Sequence, residues 1–291
     1  MKLDSKDFRA APGKKINLRK WPTRVKPFYK SEREYLASLQ AGVEELRDLQ
    51  ERLYASGEYA LLVIFQAMDA AGKDSAIKSV MSGVNPQGCQ VHSFKKPSDE
   101  ELKHDYLWRT NRRLPERGQI GIFNRSYYEE VLVVKVNPEL LRAQHVDPDH
   151  IDMAAFWKGR YQSIVDMERH LHRCNTRILK FFLHVSADEQ RKRLKSRIQR
   201  PEKNWKFDMV DIRNREHWDE YMRAYADCLR ETGSDAAPWH VVPADDKKNA
   251  RLIISRVIVD ALKRLKLKYP ALSGEKLAEL ERLRKLLTAV A

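Results

Sequence analysis

Apolar positions along the chain fall into two alternating patterns. Short, nearly unbroken apolar runs occur at 60–66 (ALLVIFQ), 89–94 (CQVHSF), 119–124 (QIGIFN), 178–185 (ILKFFLHV) and 239–243 (WHVVP). Runs of this kind read as buried β-strands. Between them, apolar residues recur at helical spacing near 31–56, 72–82, 98–113, 127–134, 151–174, 187–199, 208–231 and 246–267. Ser31 is placed to cap the first helix and Gly57 to end it. Strands alternating with helices predict an α/β fold, a three-layer α/β/α parallel sheet covered on both faces. Ligands in such sheets sit beyond the C-terminal ends of the strands. Residues 1–30 are basic and carry Pro12, Gly13, Pro22 and Pro27, which predicts an irregular N-terminal arm. A single domain is expected over 31–267. The remainder, 268–291, holds a charged amphipathic helix (274–288) expected to pack on a neighbour or a second subunit, so that a homodimer or homotetramer is anticipated.

Composition narrows the class. The chain has 291 residues, of which 42% are hydrophobic, enough for a sizeable core. No apolar run approaches the roughly 20 residues of a membrane span. The first residues lack the apolar core of a secretory signal. Cys89, Cys174 and Cys228 are far apart and show neither metal spacing nor a disulfide framework, which fits a cytoplasmic protein. Lys and Arg number 55 against 41 Asp and Glu, a formal charge of +14. That excess points to a polyanionic partner.

The segment Leu61–Ser75, LLVIFQAMDAAGKDS, is the most informative. A buried strand runs into a small-residue turn, and Gly72-Lys73 opens a helix. This is the layout of a phosphate-binding loop, in which backbone N–H groups and one lysine hold an anion. The usual pattern is G-x4-G-K-[ST]; here Ala67 replaces the first glycine and Asp74 the Ser/Thr. Ala70, Ala71, Gly72, Asp74 and Ser75 are thus candidate phosphate-binding residues around Lys73. A carboxylate inside such a loop suits a hard cation shared with phosphate oxygens, so Asp69 is a candidate metal ligand. Capping of the following helix is its alternative role.

Three further segments carry candidate chemistry. In GIFNRSYYEEV (121–131), Asn124 and Arg125 emerge from the end of a strand. Arg125 offers a planar fork for phosphate. Glu129 and Glu130 follow as acidic candidates, or as a solvated first helical turn. Arg193, Arg197 and Arg200 recur at spacings of four and three, and Pro201 ends their helix. An arginine-faced helix followed by a basic stretch with Lys203, Trp205 and Lys206 suits a lid, spanning about 187–210, that closes over phosphates. Arg215 and Trp218 on the next helix are placed for the same cleft. Lys95 follows the second strand, again at the ligand edge.

Together these segments resemble the polyphosphate kinase 2 family from about residue 20 to 267. The pieces are AMDAAGKDS (67–75), FKKPS (94–98), LWR (107–109), LPERGQIGIFNRSYYEEVLV (114–133), RPEKNWKF (200–207), WDEYMRAY (218–225) and APWHVVPADDK (237–247). FNRSYYEEV is similar to the class III branch. The resemblance implies a P-loop kinase fold like thymidylate kinase, with a lid. It also implies reversible phosphoryl transfer between inorganic polyphosphate and nucleoside mono- or diphosphates, with Mg²⁺, or Mn²⁺ as an alternative. Asp69 and Lys73 match the loop's acid and lysine, and Asn124 and Arg125 the second motif. Glu129 and Glu130 match acids that help place metal and acceptor phosphate; Arg193, Arg197 and Arg215 match lid positions. Asp74-Ser75 departs from the frequent Gly-Gly, and Glu130 stands where aspartate is common.

Two other readings stay open at this stage. An ATP-dependent nucleoside monophosphate kinase of the same fold explains loop and lid but not the excess of Lys and Arg. A nucleic-acid-binding protein explains the charge, yet neither a binding module nor aromatics on a basic sheet face are visible.

Overall fold

Parallel pairing around one central strand organises the chain. In the computed structural model, which describes residues 3–205 and 207–289, the strands are β1 (Ala60–Gln66), β2 (Cys89–Ser93), β3 (Ile120–Asn124), β4 (Thr176–His184) and β5 (Trp239–Pro243). Their order is β2-β3-β1-β4-β5, and every neighbouring pair is parallel. All five apolar runs are therefore strands, with ends shifted by at most two residues. Central β1 is buried along its whole length. Each of its large apolar side chains contributes roughly 1.5–3 kcal/mol by leaving water.

Helices cover both faces. Glu32–Ser56, Lys73–Val80 and Lys247–Arg264 pack together on one side; Glu129–Val136, Met153–Arg173 and Trp218–Thr232 pack together on the other. Ser31 accepts a hydrogen bond from Glu34 N–H, and Gly57 ends the first helix at φ 60°, a left-handed conformation that suits glycine. Among the described residues no helix is long and apolar enough to cross a membrane.

Two expected helices are broken. The 98–113 pattern yields only Asp99–Leu102 and Trp108–Asn111. A capping box of Ser98 and Glu101 starts the first, and Asp105 stops it from continuing by accepting from Leu107 N–H at 2.9 Å. The 208–231 pattern divides at His217, whose ring meets Glu220 at 2.8 Å, into Met209–Glu216 and Trp218–Thr232. The N-terminal arm is pinned to the sheet. Ala10 N–H donates to Trp239 O at 2.9 Å and Arg9 bridges His240 antiparallel, which covers the β5 edge.

Register sets the site. Phe65 lies opposite both Asn124 and Phe181, so β1 and β3 end at nearly one level, while β4 runs on to His184. The chain order reverses beside β1, the position where such sheets bind ligands.

A charged network lies under this edge. Lys180 on β4 is wholly buried and donates to Glu168 Oε2 (2.7 Å), Tyr128 Oη (2.8 Å) and Thr232 O (2.8 Å). The hydroxyls of Tyr127 and Tyr128 donate to Glu168 Oε1 at 2.8 and 2.7 Å. These two tyrosines sit between Arg125 and Glu129, so the network anchors the turn after β3. Removing one partner strands a buried charge, so Lys180→Met should cost about 3–5 kcal/mol in urea unfolding. Lys180→Met with Glu168→Leu should cost less than the sum of the two single changes.

Candidate active site

The turn after β1 is strained, and it is held by outside contacts. Ala70 has φ 60° and Gly72 φ 110°; the left-handed region costs alanine free energy that the surroundings must offset. Arg193 supplies the restraint. Its Nη1 donates to Ala71 O at 2.6 Å and Ala70 O at 3.4 Å, and its Nη2 to Ala244 O at 2.6 Å and Asp245 O at 3.2 Å. Its Nε is taken by Glu189 at 2.8 Å. Arg193, expected on phosphate, is thus placed as a clamp on the loop's carbonyls. Helix Lys73–Val80 begins at Gly72 without a side-chain cap, leaving first-turn N–H groups facing the loop. Ser75 Oγ donates to Gly72 O at 2.9 Å.

Asp69 is the hub of the site. Its Oδ1 accepts from Arg125 Nη2 at 3.0 Å and its Oδ2 from Asn214 Nδ2 at 2.9 Å. Burial works to raise its pKa, but Lys73, Arg125, the Asn214 amide and Arg197 together hold it below the usual aspartate range. Lys73 is buried, and its Nζ donates to Ala67 O at 2.9 Å, where the standard loop has glycine. Burial, and then the Arg125 charge, lower the Lys73 pKa. Arg125 itself lies at φ 65°, with its N–H fixed on Phe65 O at 3.0 Å. Asn124 Nδ2 donates to Asp74 Oδ1 at 2.8 Å, joining the end of β3 to the loop.

The two neighbouring glutamates go to different places. Glu129 faces the loop: burial raises its pKa, while Arg125 and Lys73 oppose that rise. With its amide turned so that the oxygen accepts from Ser126 N–H, Gln66 donates to Glu129 Oε1 at 2.8 Å. Glu130 points away. Its Oε2 accepts from Arg160 Nη1 (3.2 Å) and Gln144 Nε2 (2.7 Å), and its Oε1 lies 4.0 Å from Arg109 Nη2. Consecutive helical residues project about 100° apart, so only one of the pair can face the loop. Lys95 is exposed at the end of β2; its carbonyl accepts from Arg109 Nη1 at 2.7 Å.

Among the described residues no three His, Cys, Asp or Glu side chains cluster as a metal site. That donor set excludes an all-protein cage but fits a Mg²⁺-like ion, which takes one or two carboxylates and completes its shell with water and phosphate oxygens.

Comparison with known proteins follows this geometry closely. The family profile of polyphosphate kinase 2 matches residues 29–270. A protein of Rhodopseudomonas palustris named ADP-polyphosphate phosphotransferase is 56% identical, covering 98% of both chains. An AMP/ADP-polyphosphate phosphotransferase of Meiothermus ruber is 42% identical, covering 91% of this chain and 95% of its own. The crystal structure of polyphosphate kinase 2 from Arthrobacter aurescens TC1 matches with a TM-score of 0.86 and 36% identity, over 97% of this chain and 96% of that one. The chain belongs to the polyphosphate kinase 2 family.

In this family member, the helices after β4 meet the loop through Gln190 and Asn214, which residue type alone did not single out. Asn214 reaches Asp69, and Tyr221 Oη donates to Asn214 Oδ1 at 3.0 Å. Gln190 is fully buried; its amide donates to Asp69 O at 3.1 Å and its oxygen accepts from Arg215 Nη1 at 3.0 Å. Arg215 also donates to Ala187 O at 2.7 Å. The spacing of Asp211, Asn214 and Arg215 puts all three on one helical face, the one signal that could have flagged Asn214. Arg109, inside the LWR motif, and Arg160 hold Glu130. Lys206 lies outside the described residues.

Arg197 Nη1 donates to Asp211 Oδ2 at 2.9 Å. Burial and the Asp69 charge push the Asp211 carboxyl up to about 6, against the pull of Arg197 and Arg125. Since the fold binds this proton more tightly than the unfolded chain does, Asp211's contribution to stability declines as pH rises from about 4 to about 6. Carboxyl NMR should find Asp211 titrating near 6. The midpoint should drop in Asp69→Asn; an unmoved midpoint would mean that the two acids are not coupled.

Proposed function

We propose that this chain transfers a phosphoryl group from inorganic polyphosphate to a nucleoside diphosphate, and also accepts a nucleoside monophosphate, reversibly. The observation that carries the reading is the convergence of Lys73, Arg125 and Asn214 on or beside Asp69 at the mouth of a phosphate-type loop. The names of the relatives supply the donor. The Rhodopseudomonas palustris protein, 56% identical, is named for ADP alone, and the Meiothermus ruber protein for AMP and ADP, which favours a diphosphate as the principal acceptor.

Phosphoryl transfer needs positioning and neutralisation more than covalent help. In the proposed reaction, a terminal oxygen of the acceptor attacks the end phosphorus of polyphosphate in line. The bond from that phosphorus to its bridging oxygen breaks, and a chain one phosphate shorter departs, with no phosphoenzyme. Lys73 and the first-turn N–H groups hold the transferred group. Arg125 neutralises charge as it develops, and Asp69 fixes the Arg125 guanidinium. Asp69 is also the carboxylate that would hold Mg²⁺ or Mn²⁺, and such an ion would supply further charge neutralisation. Glu129 stands on the acceptor side of the loop, and Glu130 fixes Arg160 and Arg109 beneath it. The distal part of the 187–210 segment, beyond the Arg193 clamp, closes over the phosphates and excludes water.

Purified protein incubated with Mg²⁺, long-chain polyphosphate and ADP, without added ATP, should form ATP. AMP should give ADP and then ATP. Phosphorylation of AMP that requires ATP as donor would overturn the proposal. Lys73→Ala and Arg125→Ala should each lower kcat/KM by about 10²–10³-fold while unfolding cooperatively. Near-native turnover in either variant would remove that residue from the mechanism.

A further inference from the structure

The N-terminal arm carries a charge pattern that the transfer site does not use. Between Asp7 and Glu32 the chain holds Arg9, Lys14, Lys15, Arg19, Lys20, Arg24, Lys26 and Lys30, and no acid. The fold does not leave this segment loose. Leu18 is buried, Thr23 Oγ1 donates to Asp245 Oδ2 at 2.9 Å, and Asp245 N–H donates to Thr23 O at 2.9 Å. Farther along, Phe28 N–H donates to Asn249 Oδ1 at 3.0 Å. Arg9 is paired with Asp235 and Arg19 with Asp219; the remaining charges of the pinned stretch are left to counter-ions or to a ligand.

Residues 18–24 wall a cleft of about 510 Å³ at the C-terminal end of β4, closed on its other side by Trp218, Asp219 and Met222. Ser186 and Ala187 form part of its lining. Ala187 O accepts from Arg215, Arg215 donates to Gln190, and Gln190 donates to Asp69 O, so the cleft is joined to the loop through three consecutive hydrogen bonds. Arg19 is paired with Asp219 at 3.3 Å, whereas Lys20 and Arg24 have no ion-pair partner among the described residues. Their charges are exposed at the same sheet edge as the loop, on the β4–β5 side, opposite to β2 and Lys95.

We propose that this arm-walled cleft is a second anion subsite, which holds phosphates of the polyphosphate donor remote from the group being transferred. The inference rests on the function proposed above. A long chain extends its charges well past the end that Lys73 and Arg125 engage. The acid-free arm meets it with cations fixed to the body of the fold, so binding releases counter-ions without ordering a loose tail. A donor of only a few phosphates fills the loop and gains nothing from the arm.

The test compares two donors in ADP phosphorylation: long-chain polyphosphate and a short-chain preparation. In the variant carrying Arg19→Gln, Lys20→Gln and Arg24→Gln, KM for the long chain should rise about tenfold and depend less steeply on salt, with the short-chain KM within about twofold of native. Asp219→Asn, which removes the one acid of the cleft, should lower the long-chain KM. Equal effects on both donors, or none on either, would overturn the subsite while leaving the transfer reaction intact. A native protein that turns over neither donor would remove the function and the subsite together.

Discussion

Cations packed beneath a loop repel one another, and the site at the end of β1 keeps them in place with carboxylates, Asp69 in direct contact with Arg125 and Glu129 acting on both cations. The Arg125 charge disfavours that of Lys73, which has in addition lost its water. Asp69 offsets both effects. Its two oxygens bind Arg125 from the β3 side and Asn214 from the far side of the cleft. The same carboxylate therefore balances the charge, orients the guanidinium and ties the Met209–Glu216 helix to the loop. Its backbone carbonyl meanwhile binds Gln190, so one residue gathers β1, β3 and the helices after β4.

Strain at the site is restrained by neighbours of different kinds. The left-handed turn at Ala70 is braced by Arg193, whose guanidinium also takes the carbonyls at the end of β5. The left-handed Arg125 is fixed from below by the buried Lys180–Glu168 pair acting on Tyr127 and Tyr128. These supports belong to the rigid sheet and its helices, as a site that must position two polyanions requires. Asp245 links the Arg193 brace to the N-terminal arm, which makes the arm part of the same scaffold.

Strands β1, β3, β4 and β5 were readable because burial leaves nearly continuous apolar runs, whereas β2 lies at an exposed edge and shows that pattern least. Lys73, Asp69 and Arg125 were readable because loop chemistry restricts residue types at fixed spacing. The two helix breaks were not, since Asp105 and the His217–Glu220 contact act through single side-chain bonds that leave apolar periodicity unchanged. The grip of Arg193 on the loop was not readable, because residue type cannot reveal which carbonyls a strained turn exposes. Glu129 and Glu130 are adjacent and alike in sequence; the direction of their helix alone separates one facing the loop from one bound to Arg160. Asn214 carries no charge and belongs to no motif; beyond its helical face shared with Asp211 and Arg215, its place follows from the tertiary approach of its helix to Asp69.

The most direct measurement is a double-mutant cycle on kcat/KM with Asp69→Asn, Arg125→Lys and the pair combined, assayed with polyphosphate and ADP. If Asp69 acts by balancing and orienting Arg125, the double variant should lose little more than the worse of the two single variants. Losses that simply multiply would show that the two residues act independently, and would contradict the account of Asp69 as the hub of the site.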